Sequence, residues 1–134
     1  MVAMIGANVS AVMTAAEMAA SGKGFALNDL FTDAGNGAVF RFVQYGGTVT
    51  AGDVLWISAA GQAVRLSTSN DAAAQTLGVA RASGVDDDFA WVQVYGPCPA
   101  IHVLASAAAD ALLRATGTAG AIDDSGTTTF HRRT

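Results

Sequence analysis

The chain has 134 residues, of which 51% are hydrophobic and only 13% charged, and its net charge at neutral pH is −4. That length suits one compact domain burying roughly two-thirds of its unfolded surface, and the composition excludes a solvated, disordered polymer. The negative balance, with its one cationic cluster at His131, Arg132 and Arg133, excludes the basic field that nucleic-acid binding needs, and no apolar run approaches the roughly 20 residues of a membrane-spanning helix.

Residues 1–24 are set apart as an N-terminal arm or short helix. The Ala/Met-rich stretch 8–20 has Asn8 or Ser10 as a candidate N-cap and Gly22 as a stop, and Val9, Val12, Met13, Ala16 and Ala20 fall at helical spacing. No Lys or Arg precedes Lys23, so the basic start of a signal peptide is lacking. Gly22 and Gly24 make the junction to the next segment a hinge.

Residues 25–134 read as a single β-rich domain. Short β-type runs at 38–45, 53–58, 62–66, 76–81, 89–95 and 100–105, with a weaker one at 111–116, recur about every ten residues. The expected fold is mainly β, a compact β-barrel or jelly-roll-like sandwich of short antiparallel strands. The best turn signals are 33–37 (Asp-Ala-Gly-Asn-Gly) and 59–61.

The strands have no clean polar face. Phe40 and Phe42 oppose Val39, Val43 and Tyr45, while Phe89, Trp91, Gln93 and Tyr95 oppose Ala90, Val92 and Val94. Such a sheet exposes aromatics unless the arm or another subunit covers them. Leu55 and Ile57 oppose Val54 and Trp56, and Asp53 is placed to fix the preceding turn through its side-chain oxygen. The alanine-rich stretch 106–121 is read as a strand with flanking turns, because Thr116, Gly117, Thr118 and Gly120 interrupt any helix.

Groups suited to catalysis are few. Cys98 and His102 are a poor nucleophile–base pair: Pro97 and Pro99 forbid the helix that would join them, and an extended chain holds them roughly 13 Å apart. Asp86, Asp87 and Asp88 form the one dense acidic cluster, without the alternating ligands of a Ca²⁺ loop. Hydrolase elbows, phosphate loops and metal-type His or Cys pairs are lacking, and a single cysteine forms no internal disulfide. The expectation is a protein that is not an enzyme and holds no cofactor or metal. Gly47-Thr-Val-Thr-Ala-Gly-Asp-Val-Leu is also a turn of the biotinyl and lipoyl carrier type, but Lys23, the only lysine, lies in the hinge rather than on a hairpin.

Several segments recur in a recognisable order: Phe25-Ala-Leu-Asn-Asp, the turn at 33–37, Val39-Phe-Arg-Phe-Val-Gln, Thr50-Ala-Gly-Asp-Val and Leu77-Gly-Val-Ala. Asp88-Phe-Ala-Trp-Val-Gln-Val-Tyr-Gly, Ala105-Ser-Ala-Ala-Ala-Asp and Thr118-Ala-Gly-Ala-Ile-Asp-Asp follow. Over about residues 25 to 126 this order resembles the small capsid decoration, or cement, proteins of tailed bacteriophages. The resemblance implies a structural virion protein on the capsid exterior, often a homotrimer, that clamps neighbouring copies of the major capsid protein and has no catalytic residues. The arm before Lys23 has no counterpart in that pattern, and residues 127–134 depart from the further apolar strand such chains often carry. A low-charge surface and an arm able to add a strand to a neighbour suit the same role. The expected capsid or subunit contacts are Val9, Val12, Met13, Phe25, Leu27, Trp91 and Tyr95. The alternative is a head-fibre or receptor/glycan-binding knob that stacks sugars on Trp56, Trp91 and Tyr95.

Overall fold

The computed structural model describes residues 11–21, 26–70, 76–104 and 113–124. In chain order they form α1 (Ala15–Ser21), β1 (Leu30–Thr32), β2 (Val39–Tyr45), β3 (Val54–Ile57), β4 (Gln62–Arg65), β5 (Thr76–Ala80), β6 (Phe89–Tyr95), β7 (Arg114–Ala115) and β8 (Ile122–Asp123).

The runs richest in β-branched and aromatic residues become the longest strands, β2 and β6, which pair antiparallel. β3 pairs with β4 on one side and β5 on the other, both antiparallel, and β5 meets β6 at Val79 and Ala80. The circle is completed where Gln44 and Tyr45 of β2 pair with Gln62 and Ala63 of β4, giving a closed five-stranded barrel. This last pairing is parallel, a departure from the all-antiparallel expectation. β1 lies on β2 beyond the end of β4, and β7 and β8 make a separate ribbon.

Three turns share one device. In 26–29, 50–53 and 85–88, the fourth-residue N–H donates to the first-residue carbonyl, and the fourth-residue Asp carboxylate accepts from the first-residue N–H. The third residues, Asn28, Gly52 and Asp87, have φ of 72°, 95° and 69°, as a type II turn requires. Asp53 thus fixes its turn as its sequence position suggested. Gly120 packs against it so closely, at φ +83°, that a Cβ there would lie 2.6 Å from the Asp53 Cγ.

Both faces of the strands are covered by the chain itself. Val43, Tyr45, Leu55, Ile57 and Val92 fill the barrel. On the outer face of β3, Val54 and Trp56 pack with Leu66, Ile101, Val103, Ala115 and Ile122. On the outer face of β2 and β6, Phe40, Phe42 and Trp91 pack with Met18 of α1, Leu27 and Phe31. Each large side chain so buried contributes roughly 1.5–3 kcal/mol, which gives this layering its stabilising weight.

Local structure corrects several expectations. Helix α1 begins after Thr14; the expected caps Asn8 and Ser10 lie outside the described residues. Thr14 N–H donates to Glu17 Oε2 at 2.8 Å and Glu17 N–H donates to Thr14 Oγ1 at 3.2 Å, a reciprocal capping box that holds the Glu17 carboxyl below its usual range. Val12 and Met13 therefore precede the helix, and Met18 supplies its core contact. Segment 100–104 is no strand; it carries one bridge, Val103 to Ile122, and its backbone is tied to Gly52 and Ile122 instead. Of the 111–116 expectation, residues 111 and 112 lie outside the described residues and β7 falls within the rest, while β1 and β8 are strands with no strand expected there.

Candidate functional site

Three places in the described chain are candidates for a functional site. The first is the end of the arm. Met13 and Phe89 exchange both backbone hydrogen bonds, Met13 N–H to Phe89 O at 2.8 Å and Phe89 N–H to Met13 O at 2.7 Å. The arm thus adds a one-residue strand to β6, antiparallel, on the edge facing away from β2. Val12 packs against the barrel interior.

The second is a hollow of about 450 Å³ beside the 50–53 turn. His102 is half exposed, and its Nδ1 lies 3.2 Å from Oδ1 of the buried Asp53. His102 N–H also donates to Gly52 O at 2.7 Å, so ring and backbone together fasten segment 100–104 to the barrel rim. Cys98 has a different partner, its Sγ donating to Ala100 O at 3.3 Å. The thiol and the imidazole therefore have separate engagements.

The third is a cleft of about 1010 Å³ where β5 and β6 part. Its cause is local. β6 steps two residues, from Gln93 to Tyr95, against one step of β2, from Phe40 to Val39. Such a bulge bends the strand end away from its neighbour. Gln93, only 3% exposed, then holds the departing chain: its Nε2 faces the carbonyls of Tyr95, Gly96 and Pro97 at 3.2, 3.1 and 2.6 Å, while Oε1 accepts from Arg81 Nη1 at 2.9 Å. The guanidinium of Arg81 sits over the Phe40 ring, 5.9 Å from its centre. The sequence signal for this anchor is one amide among apolar neighbours in Trp-Val-Gln-Val, on the strand parity it shares with Phe89, Trp91 and Tyr95.

Of the expected contact residues, Val9 and Phe25 lie outside the described residues. Val12, Met13 and Leu27 are half-buried: Val12 packs on the chain's own barrel core, Leu27 on its aromatic cluster, and Met13 is bridged to Phe89. Trp91 is corrected from a surface contact to a core residue: it is 4% exposed, with its ring 5.2 Å from Phe42 and 6.0 Å from Phe31. Trp56 is packed as well, so of the three aromatics considered for sugar stacking only Tyr95, 73% exposed, faces solvent. The Asp86–Asp88 acids act in the turn: Asp88 Oδ2 accepts from Val85 N–H at 3.0 Å and Asp87 Oδ1 from Gln44 Nε2 at 3.3 Å. Among the described residues no group of three or more His, Cys, Asp or Glu is placed to hold a metal ion.

Comparison of the chain with protein-family models, with curated proteins and with solved structures finds no match.

Proposed function

We propose that the chain is a structural virion protein, a capsid decoration protein that binds the outer surface of a phage head and bridges neighbouring major capsid protein subunits as a homotrimer. The observation that carries this reading is how the polar side chains are used. Asp29, Asp53 and Asp88 close turns, His102 fastens a segment, and Gln93 anchors a strand end. What remains for function is surface of low charge, an arm already able to pair with a strand edge, and an uncharged cleft.

Docking without many ions to desolvate suits such a surface, because each buried charge would cost several kcal/mol unless paired. Repetition on a shell supplies avidity, so each contact can be modest. The test is cryo-electron microscopy of particles from cells carrying the genome that encodes this chain. The expected result is density of one compact β-barrel per copy on the outer face, touching more than one capsid subunit. A particle with no such density on its exterior overturns the reading.

A further inference from the structure

We infer that the cleft between β5 and β6 is a strand-acceptor site, and that its occupant is residues 1–10 of a second copy of this chain. The inference rests on the part of the preceding reading in which copies associate. Its test uses purified protein, so its failure is distinguishable from failure to decorate a particle.

The acceptor geometry follows from the ladder. Ala80 donates its N–H to Asp53 O at 2.9 Å and accepts from Gly52 N–H at 2.8 Å, so its backbone groups face the β3 side. Alternation turns the backbone of Val79 the other way, where it meets Gln93 of β6. Leu77, two residues earlier, faces the same way as Val79, but β6 has already bent off and the cleft lies opposite. A backbone N–H and C=O directed at an apolar opening form the edge that an added strand pairs with. Val94 and Tyr95 stand across the gap.

The occupant follows from charge and direction. None of the residues lining the cleft carries a charged side chain. Residues 1–10, Met-Val-Ala-Met-Ile-Gly-Ala-Asn-Val-Ser, carry none either, and supply Val2, Met4, Ile5 and Val9. The arm is already a strand donor, since Met13 pairs antiparallel with Phe89, which sends the preceding residues toward the Tyr95 end of β6. Within one copy that route is blocked, because Val79 and Ala80 of β5 occupy the same edge at Gln93 and Val92. A neighbour's arm does not meet that obstacle. Arm-into-cleft contact is head-to-tail, so it closes into a ring or continues as a chain according to the rotation between copies.

Cys98 lines the cleft and provides the probe. The variant Ile5→Cys is mixed as isotope-labelled and unlabelled protein, oxidised mildly and digested. The expected product is a disulfide between position 5 and Cys98 that joins labelled to unlabelled chains and is lost when Cys98→Ala is added. Deleting residues 1–10 is expected to weaken self-association by about tenfold or more in sedimentation, roughly the loss of 1.4 kcal/mol. A position 5 to Cys98 link found only within single chains overturns the inference. So does the absence of any such link, and so does a truncated chain that associates as tightly as the full one.

Discussion

Strand β6 is held by different means along its two edges. Along β2 the ladder runs from Val39 to Gln44, and Phe42 lies beneath it, its ring stacked 5.8 Å from Phe89 and tilted 5.2 Å from Trp91. Along β5 the ladder consists of Val79 and Ala80, and beyond it a bulge and the Gln93 amide carry the chain away. One edge is closed by side-chain packing on top of backbone pairing; the other is held open by a buried amide. The opening is therefore a built feature, because fraying would leave Gln93 exposed and its partners solvated, whereas Gln93 is buried and saturated.

Substitutions in the two edges separate these mechanisms. The largest effect belongs to the closed edge. Phe42→Ala removes a ring that is 2% exposed and central to the aromatic cluster, and is expected to cost about 3–5 kcal/mol in urea unfolding. A loss below about 1 kcal/mol would mean that the cluster is not what closes β6 onto β2.

The open edge is expected to respond locally. Gln93→Leu strands three carbonyls and the Arg81 guanidinium, a loss of about 1–3 kcal/mol. Its signature is faster amide exchange at Gly96 and Cys98 with little change at Phe42. Equal acceleration along all of β6 would contradict separate control of the two edges.

Tyr45 tests the corner where β5 departs. Its hydroxyl donates to Ala82 O at 2.7 Å, and burial, aided by the carboxylates of Asp88 and Asp53, pushes the phenol well above its ordinary value of 10.0. The unfolded chain therefore releases this proton first as pH rises. The stabilisation is complete below the ordinary phenol value and falls progressively above it. Tyr45→Phe is expected to cost about 1 kcal/mol at neutral pH and to flatten the alkaline decline in stability. An unchanged alkaline slope would place its origin elsewhere.

How much of this was legible in the sequence depended on what fixes each element. β2, β3, β5 and β6 announce themselves through β-branched and aromatic content, β4 through the turn at 59–61 that precedes it, and the opposed parities of Leu55/Ile57 and Val54/Trp56 do separate into barrel interior and outer layer. The question of what covers the Phe40/Phe42 face is answered by Met18, Leu27 and Phe31 of the same chain. β1 and β8 are too short to carry a pattern and exist because a partner strand is present. The parallel contact of β2 with β4 is likewise a property of closure, not of either strand. The helix start was written as Thr14-Ala-Ala-Glu17, but helical spacing of apolar residues drew Val12 and Met13 into a face that α1 does not have. Apolarity alone did not separate Trp91 from a contact residue, since core and interface use the same side chains. The cleft was invisible because it arises from a one-residue bulge.

The difference between the edges is tested most directly by hydrogen exchange of the full chain and of the chain lacking residues 1–10, at equal concentration. The Leu77 amide is expected to be protected in the full chain and to exchange at least about tenfold faster after truncation, while Val43, in the closed ladder, stays slow in both. Leu77 exchanging at the same rate with and without residues 1–10 would contradict an edge kept open to receive a strand.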